Sequence, residues 1–332
     1  MSELRKDPII RRWVIVSDDR NNKLSEYVTT TTEEEKHICP FCPGNEEKSP
    51  VEILAVKDPM SEDSRSKWRV RVIPDKFPLL RIEGDLKKRG HGMYDMMNAV
   101  GAHEVVIETP EHDADWTELE IDQLQIILGV YRQRALDLRK DTRFKHIIIV
   151  KNHGIPTTHY SHSHSHILAM PFVVKRVDEE LNNSIDYFKI KERCIYCDII
   201  NEEINIGKRI IKESDKFLVF SPYASKFPFE ICITPKTHVS DFGAISDDVL
   251  KDQAIIFKEI MTGIKKALRN LSYSMVLHSA PFQRGLVNEY HWHWEIIPRC
   301  SDMMGFEWGT GLYANPVLPE DAAKILREAI LS

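Results

Sequence analysis

Residues 162 to 166 read His162-Ser163-His164-Ser165-His166, imidazole alternating with hydroxymethyl. Successive side chains of an extended strand point to opposite faces, so the three histidines share one face and the two serines the other. A neutral imidazole, whose unperturbed pKa is about 6.5, can attack an α-phosphorus at neutral pH and carry the nucleotidyl group covalently. His164, the middle residue, is the candidate nucleophile, and His166 is placed to donate to phosphate oxygens or to a leaving group. Asn152 and the amides near Gly154, in Lys151-Asn152-His153-Gly154, are candidates to stabilise developing phosphoryl charge.

The elements that must hold these groups come from an internal repeat. Each half opens with a Cys-x-x-Cys, Cys39 to Cys42 and Cys194 to Cys197, and then reaches a turn, Asp75-Lys76-Phe77-Pro78 or Ser225-Lys226-Phe227-Pro228. A run rich in β-branched residues follows and ends in histidine, His103 to His112 in one half and Phe229 to His238 in the other. Helical periodicity spans Thr117 to Lys140, with a capping box Thr117-x-x-Glu120, and Ser246 to Leu271. Apolar strands, His146 to Lys151 and Tyr273 to His278, lead to the two histidine strands, the second being His291-Trp292-His293-Trp294-Glu295. Trp292 and Trp294 mark that copy as structural, which leaves catalysis to the first. The expected class is α+β: two tandem units, 1–178 and 190–332, each an antiparallel sheet with one long helix, joined near residues 175 to 193, where the charged stretch Lys175 to Glu180 lies.

Zinc favours four sulfur and nitrogen ligands in a tetrahedron, and a Cys-x-x-Cys turn supplies two of them. The repeat nominates Cys39, Cys42, His112 and His162 for one site and Cys194, Cys197, His238 and His291 for the other. Both are expected to be structural, because four protein ligands leave no open position for water. A redox role is disfavoured by the absence of a strand-to-helix context for the cysteine pairs. Cys232 and Cys300 read as apolar-segment cysteines, Trp13, Trp68, Trp116 and Trp308 as packing residues, and Thr29 to Lys36 and Lys87 to Gly92 as solvated loops.

A chain of 332 residues with a net charge of −6 has no broad cationic surface for a nucleic-acid partner. Without an apolar run near the roughly 20 residues that span a bilayer, or an apolar leader, a cytoplasmic location without membrane partners is expected.

Taken together, Asp7-Pro-Ile-Ile-Arg-Arg-Trp-Val-Ile-Val-Ser17, Cys39-Pro-Phe-Cys42-Pro-Gly-Asn45, Cys194-Ile-Tyr-Cys197 and Ile233-Thr-Pro-Lys-Thr-His238 resemble the galactose-1-phosphate uridylyltransferase family, the transferase branch of the histidine triad superfamily. The resemblance covers nearly the whole chain. It implies two histidine-triad-like domains packed as an internal pseudo-dimer, a homodimer with composite sites, and a ping-pong exchange through His164 between UDP-glucose and a sugar 1-phosphate. It places Asp75 and Phe77 at the nucleotide, Asn152, Thr158 and His159 at the phosphates, and Phe306 and Glu307 at the hexose. Arg20 and Lys23 fall where the family reaches into the neighbouring subunit's site, and iron can replace zinc at the second metal site. This chain has His166 where the family pattern has glutamine, a histidine typical of triad hydrolases. Its tail, Gly305-Phe-Glu-Trp-Gly-Thr-Gly-Leu-Tyr-Ala-Asn-Pro, is similar to the plant ADP-glucose phosphorylase type, which moves AMP from ADP-glucose to phosphate. Adenylyl transfer is thus the alternative to uridylyl transfer, followed by nucleotide hydrolysis and by nucleotide binding without catalysis.

Overall fold

The computed structural model describes residues 2–8, 13–16, 38–58, 68–154, 161–269, 272–285, 287–300 and 305–332. Arg20, Lys23, Thr158 and His159 lie outside the described residues, as does the loop from Thr29 to Lys36.

In chain order the first half contains β1 (Glu3–Lys6), β2 (Trp13–Val16), β3 (Leu54–Lys57), β4 (Trp68–Pro74), β5 (Arg89–His91), β6 (Tyr94–Asn98), β7 (Ala102–Ile107), α1 (Ile121–Leu138), β8 (His146–His153) and β9 (His164–Met170). Helix α2 (Lys175–Lys191) connects it to α3 (Ile195–Ile206), β10 (Ile210–Glu213), β11 (Phe217–Phe220), β12 (Ile231–Pro235), α4 (Asp247–Leu268), β13 (Tyr273–His278), β14 (His293–Pro298), α5 (Gly305–Thr310) and α6 (Pro319–Leu331).

Ten strands form one sheet in the order β10-β11-β12-β14-β13-β8-β9-β7-β4-β3, and every neighbouring pair is antiparallel. Read from each edge inward, the two halves have the same order, and they meet where β8 pairs with β13, Leu277 opposite Ile149 and Tyr273 opposite His153. The expected pseudo-dimer is therefore welded by a continuous hydrogen-bonded ladder across its pseudo-twofold seam. A second sheet, β2-β1-β6-β5, belongs to the first half alone.

Helices α1 and α4 cover one face of the large sheet together. Their core is shared by both halves: Trp116, Leu124, Ile127 and Tyr131 join Phe257, Ile260, Trp292 and Trp294, with Phe257 edge-on to Trp116 and Trp294 at centroid distances of 5.2 and 5.5 Å. On β9 the alternation places Ile167 and Ala169 in this core, while Leu168 and Met170 turn to a separate cluster with Leu4, Leu80 and Met97. The same alternation carried back along the strand sends the serines toward α1 and His164 and His166 to the opposite face. Gly101, just before β7, permits the close approach that this pairing needs, since a Cβ there would stand 2.5 Å from the Ala169 carbonyl oxygen.

Five expectations need correction. Helix α1 begins at Ile121 with Glu120 as its cap, and Thr117 instead bonds Asp115 through both its amide and its hydroxyl, so Asp115 forms a turn that pre-empts the capping box. Helix α4 ends at Leu268, short of Leu271, but its start is as expected: Ser246 accepts the Val249 amide at 3.4 Å. Cys194 is the N-cap of α3, so the second Cys-x-x-Cys does open a helix. Cys300 is exposed, and Trp308 is 77% exposed rather than packed.

Candidate functional site

Both cysteine turns meet the histidines that the repeat pairs with them. Cys39, Cys42, His112 and His162 place their ligand atoms within 4.8 Å of one another, and so do Cys194, Cys197, His238 and His291. In the first group His112 Nδ1 lies 3.2 Å from Cys42 Sγ, and His162 Nδ1 lies 3.6 and 3.7 Å from Cys42 and Cys39. In the second, Cys197 Sγ is 3.4 Å from His238 Nδ1 and 3.8 Å from His291 Nδ1. Bonds of about 2.3 Å to sulfur and about 2.0 Å to nitrogen at a tetrahedral angle separate the two donors by about 3.5 Å. The sulfur–nitrogen spacings therefore suit two donors sharing one tetrahedral metal ion.

The remaining ring nitrogens are anchored in the way metal-binding histidines require. His162 Nε2 donates to the Thr109 carbonyl at 2.7 Å, His291 Nε2 to Pro235 at 2.8 Å, and His238 Nε2 to Val287 at 3.2 Å. Each leaves Nδ1 as the nitrogen facing sulfur.

His162 precedes β9, and His164 is its first residue. His164 Nδ1 donates to the His162 carbonyl at 2.7 Å, which fixes the tautomer and leaves the lone pair on Nε2. Burial pushes the pKa of His164 down to about 4, the His162 carbonyl opposes this, and neighbouring His166 and Lys151 reinforce it. His164 is therefore a neutral, oriented imidazole at pH 7, with Phe41 of the first cysteine turn against its ring at 5.6 Å between centroids. Among the catalytic candidates, Asn152 extends the β8 ladder that sets Val150 opposite His166, and its side-chain oxygen accepts from Ser274 at 2.7 Å, which turns the amide NH2 to act as donor.

The back of the histidine strand is held by a buried network with no local signature in the sequence. Lys151 Nζ contacts Glu108 Oε2 at 2.6 Å, Ser163 Oγ at 3.0 Å and the His164 carbonyl at 3.3 Å. Glu108 also accepts from Ser163 at 2.7 Å and Trp116 at 2.8 Å, and the Tyr131 hydroxyl joins it to Ser165. Both serines thus act as anchors that tie the strand to α1 and to the neighbouring strands. Burial alone would raise the pKa of Glu108, but the charge and hydrogen bond of Lys151, with Ser163 and Trp116, hold it at about 2.

On the front face His166 stands beside His103 and Asp75. His103 Nε2 is 3.1 Å from His166 Nδ1, and Asp75 Oδ2 lies 3.5 and 3.7 Å from those two nitrogens. Phe77, one turn onward, is 57% exposed. Phe306 and Glu307 lie in α5, and the tail that follows binds the second half: Asn315 donates to the Ser225 and Phe227 carbonyls, and Tyr313 packs edge-on against Phe227 at 5.4 Å. The tail covers, in the second copy, the turn whose first-copy equivalent carries Asp75 and Phe77.

The second copy keeps the framework in altered form. His293 Nδ1 lies 3.2 Å from the His291 carbonyl, as His164 does from His162, but His293 is enclosed by Tyr196, Tyr290 and His278. Glu180, His278, His293 and Glu295 bring further potential ligand atoms within 4.8 Å, with Arg176 paired to both carboxylates and Lys226 to Glu295. Only the fold assembles this group, because Glu180 comes from the connecting helix.

Residues 1–174 match the sequence profile of the galactose-1-phosphate uridyl transferase N-terminal domain, and residues 180–328 that of its C-terminal domain. The chain is 32% identical over 338 residues to ADP-glucose phosphorylase of Arabidopsis thaliana, covering 99% of this chain and 93% of the relative. It is 27% identical over 338 residues to galactose-1-phosphate uridylyltransferase of Thermotoga maritima, covering 99% and 98%. Among solved structures, a uridylyltransferase superposes with a TM-score of 0.82 at 26% identity, covering 99% of this chain and 98% of that one. The ADP-glucose phosphorylase of A. thaliana with bound ADP-glucose superposes with a TM-score of 0.77 at 32% identity, covering 99% of both.

Proposed function

The chain belongs to the galactose-1-phosphate uridylyltransferase family, and from that premise we propose that it transfers a nucleotidyl group by a ping-pong mechanism through His164. The observation that carries the reading is the bond from His164 Nδ1 to the His162 carbonyl, which presents a neutral Nε2 as nucleophile. Nε2 attacks the α-phosphorus of a nucleotide sugar, the P–N bond forms, and the bridging P–O bond breaks to release sugar 1-phosphate. A phosphate oxygen of the acceptor then attacks the same phosphorus, the P–N bond breaks, and His164 is restored. Asn152 and His166 donate to the phosphoryl oxygens as charge develops on them. Asp75 and Phe77 line the nucleotide, Thr158 and His159 the phosphates, and Phe306 and Glu307 the hexose. Arg20 and Lys23 complete a neighbouring subunit's site in a homodimer.

The principal reading is UDP-glucose with a hexose 1-phosphate acceptor, supported by the galactose-1-phosphate uridylyltransferase relatives. The second reading, adenylyl transfer from ADP-glucose to phosphate, is favoured by the 32% identity to the plant phosphorylase. Zinc suits both Cys2His2 groups by donor type and spacing, and iron is the alternative at the second. Such ions, when bound, fix the strand ends that carry His162 and His291 and take no part in transfer. The units 1–178 and 190–332 are read as the domains, and the cytoplasm as the compartment. No helix among the described residues is long and apolar enough to cross a membrane.

Incubation with UDP-glucose or ADP-glucose without acceptor, followed by intact mass analysis under non-acidic conditions, tests this. A uridylyl adduct supports the principal reading and an adenylyl adduct the second. Continuous release of free nucleotide would mean hydrolysis instead. Labelling that persists in a His164→Ala protein would overturn the assignment of the nucleophile.

A further inference from the structure

His103 enters the sequence only as the first residue of a β-branched run, and its counterpart in the second copy, Phe229, cannot hydrogen-bond through its side chain. In the fold its side chain is 4% exposed and is held at both ring nitrogens. The Leu79 amide donates to His103 Nδ1 at 3.1 Å, and His103 Nε2 faces His166 Nδ1 at 3.1 Å. The Asp75 amide donates to the His103 carbonyl at 2.9 Å, and Asp75 Oδ1 is engaged by the Phe77 amide at 2.7 Å, so the surrounding turn is fixed as well.

Asp75 Oδ2 lies farther from the facing nitrogens, at 3.5 and 3.7 Å, than they lie from each other, and for neutral rings the proton positions follow from the shorter contacts. A ring nitrogen that accepts an N–H carries no proton, so neutral His103 must hold its proton on Nε2. That Nε2–H points at His166 Nδ1, which must then be the bare nitrogen of its own ring. The proton of neutral His166 is left on Nε2. The order Leu79 N–H, His103, His166 is a one-way chain of donors.

We infer that His103 is a positioning residue that locks His166 as an Nε2–H donor to the transferred phosphoryl group, so that His166 does the work of a side-chain amide and not of a general acid. The family pattern has glutamine at this place, and an amide NH2 offers the same donor. To act as an acid and remain a neutral imidazole afterwards, His166 would need a second proton on Nδ1, directly opposed to the His103 Nε2–H. The chain thereby keeps transferase chemistry with a hydrolase-like residue in the motif. This inference rests on the transfer reading above.

Two measurements test it, one of them independent of activity. Nitrogen-15 histidine spectra, with the His166 signals assigned by their loss in His166→Gln, should show Nδ1 unprotonated and Nε2 protonated. A protonated Nδ1 at neutral pH would overturn the inference, whether or not any nucleotide sugar labels the protein. In single-turnover labelling of His164, His103→Ala should slow adduct formation about tenfold to a hundredfold, the effect of one lost orienting hydrogen bond. His103→Gln, which can accept from Leu79 and donate to His166, should restore most of the rate. In a His166→Gln background, taken relative to that variant's own rate, adding His103→Ala should cost nothing further. An equal loss from His103→Ala in both backgrounds would show that His103 acts on the fold and not through His166, and would refute the proposal.

Discussion

Replacement of Lys151 by methionine removes the cation beneath the histidine strand while keeping much of its volume. Lys151 is 1% exposed and Glu108 is fully buried, so the change leaves a carboxylate with no counter-charge in the core. Breaking one partner of such a pair costs about 3–5 kcal/mol. The pKa of Glu108 supports this scale: about 2 in the fold against an ordinary 4.5, a difference worth about 3 kcal/mol. Because the folded pKa is the lower one, this stabilisation is present in full above about pH 4.5 and fades as pH falls toward 2. Glu108→Gln should cost a similar amount, since it strands the lysine. The double variant Lys151→Met/Glu108→Gln retains an acceptor for Trp116, Ser163 and Tyr131 but no lone charge, and should be less destabilised than either single variant. Unfolding free energies of the four proteins at pH 7 give the coupling, expected at about 3 kcal/mol or more. Additivity within about 0.5 kcal/mol would refute the claim that the two charges stabilise each other. The same set, assayed by His164 labelling, should show slower adduct formation in both single variants, because Lys151 also holds the His164 carbonyl.

Other outcomes follow from the same geometry. Purified protein should contain one metal equivalent per Cys2His2 group, and Cys39→Ser or Cys194→Ser should each remove about one by elemental analysis. Stripping the metal with a chelator should lower the melting temperature, most sharply when the first group is emptied. Asn152→Ala should reduce the rate of adduct formation about a hundredfold or more with little change in melting temperature, as expected for a lost donor to developing charge. Gly101→Ala should destabilise by about 1–3 kcal/mol, because the new methyl meets the Ala169 carbonyl and β7 must move from β9. A melting curve unchanged by that substitution would refute the close-approach argument.

Much of the candidate site was legible because paired cysteines, matched histidines and strand alternation leave periodic marks. Cysteines three positions apart, histidines at matched places in two copies and alternation along residues 162 to 166 each reflect one local geometry repeated by the fold. The same logic misjudged the start of α1, where Asp115 competes for the groups that the capping box needed. It also missed the 12-residue helix that Cys194 caps, because only Ile200 and Glu203 of that helix are buried and so few inward positions leave little periodic signal.

The sequence by itself determined the two-copy plan, the pairing of each Cys-x-x-Cys with its two histidines and the family to which the chain belongs, and it nominated His164 as the nucleophile. Only the tertiary structure decided that the copies share one ten-stranded sheet across β8 and β13, and that Glu108, Lys151 and Tyr131 anchor the serines from behind. It also set His103 against His166. These partners are from 12 to 63 residues apart and come from separate strands and a helix. Their relation is set by strand register and by which face each strand buries, and neither leaves a mark on the residues near any one of them.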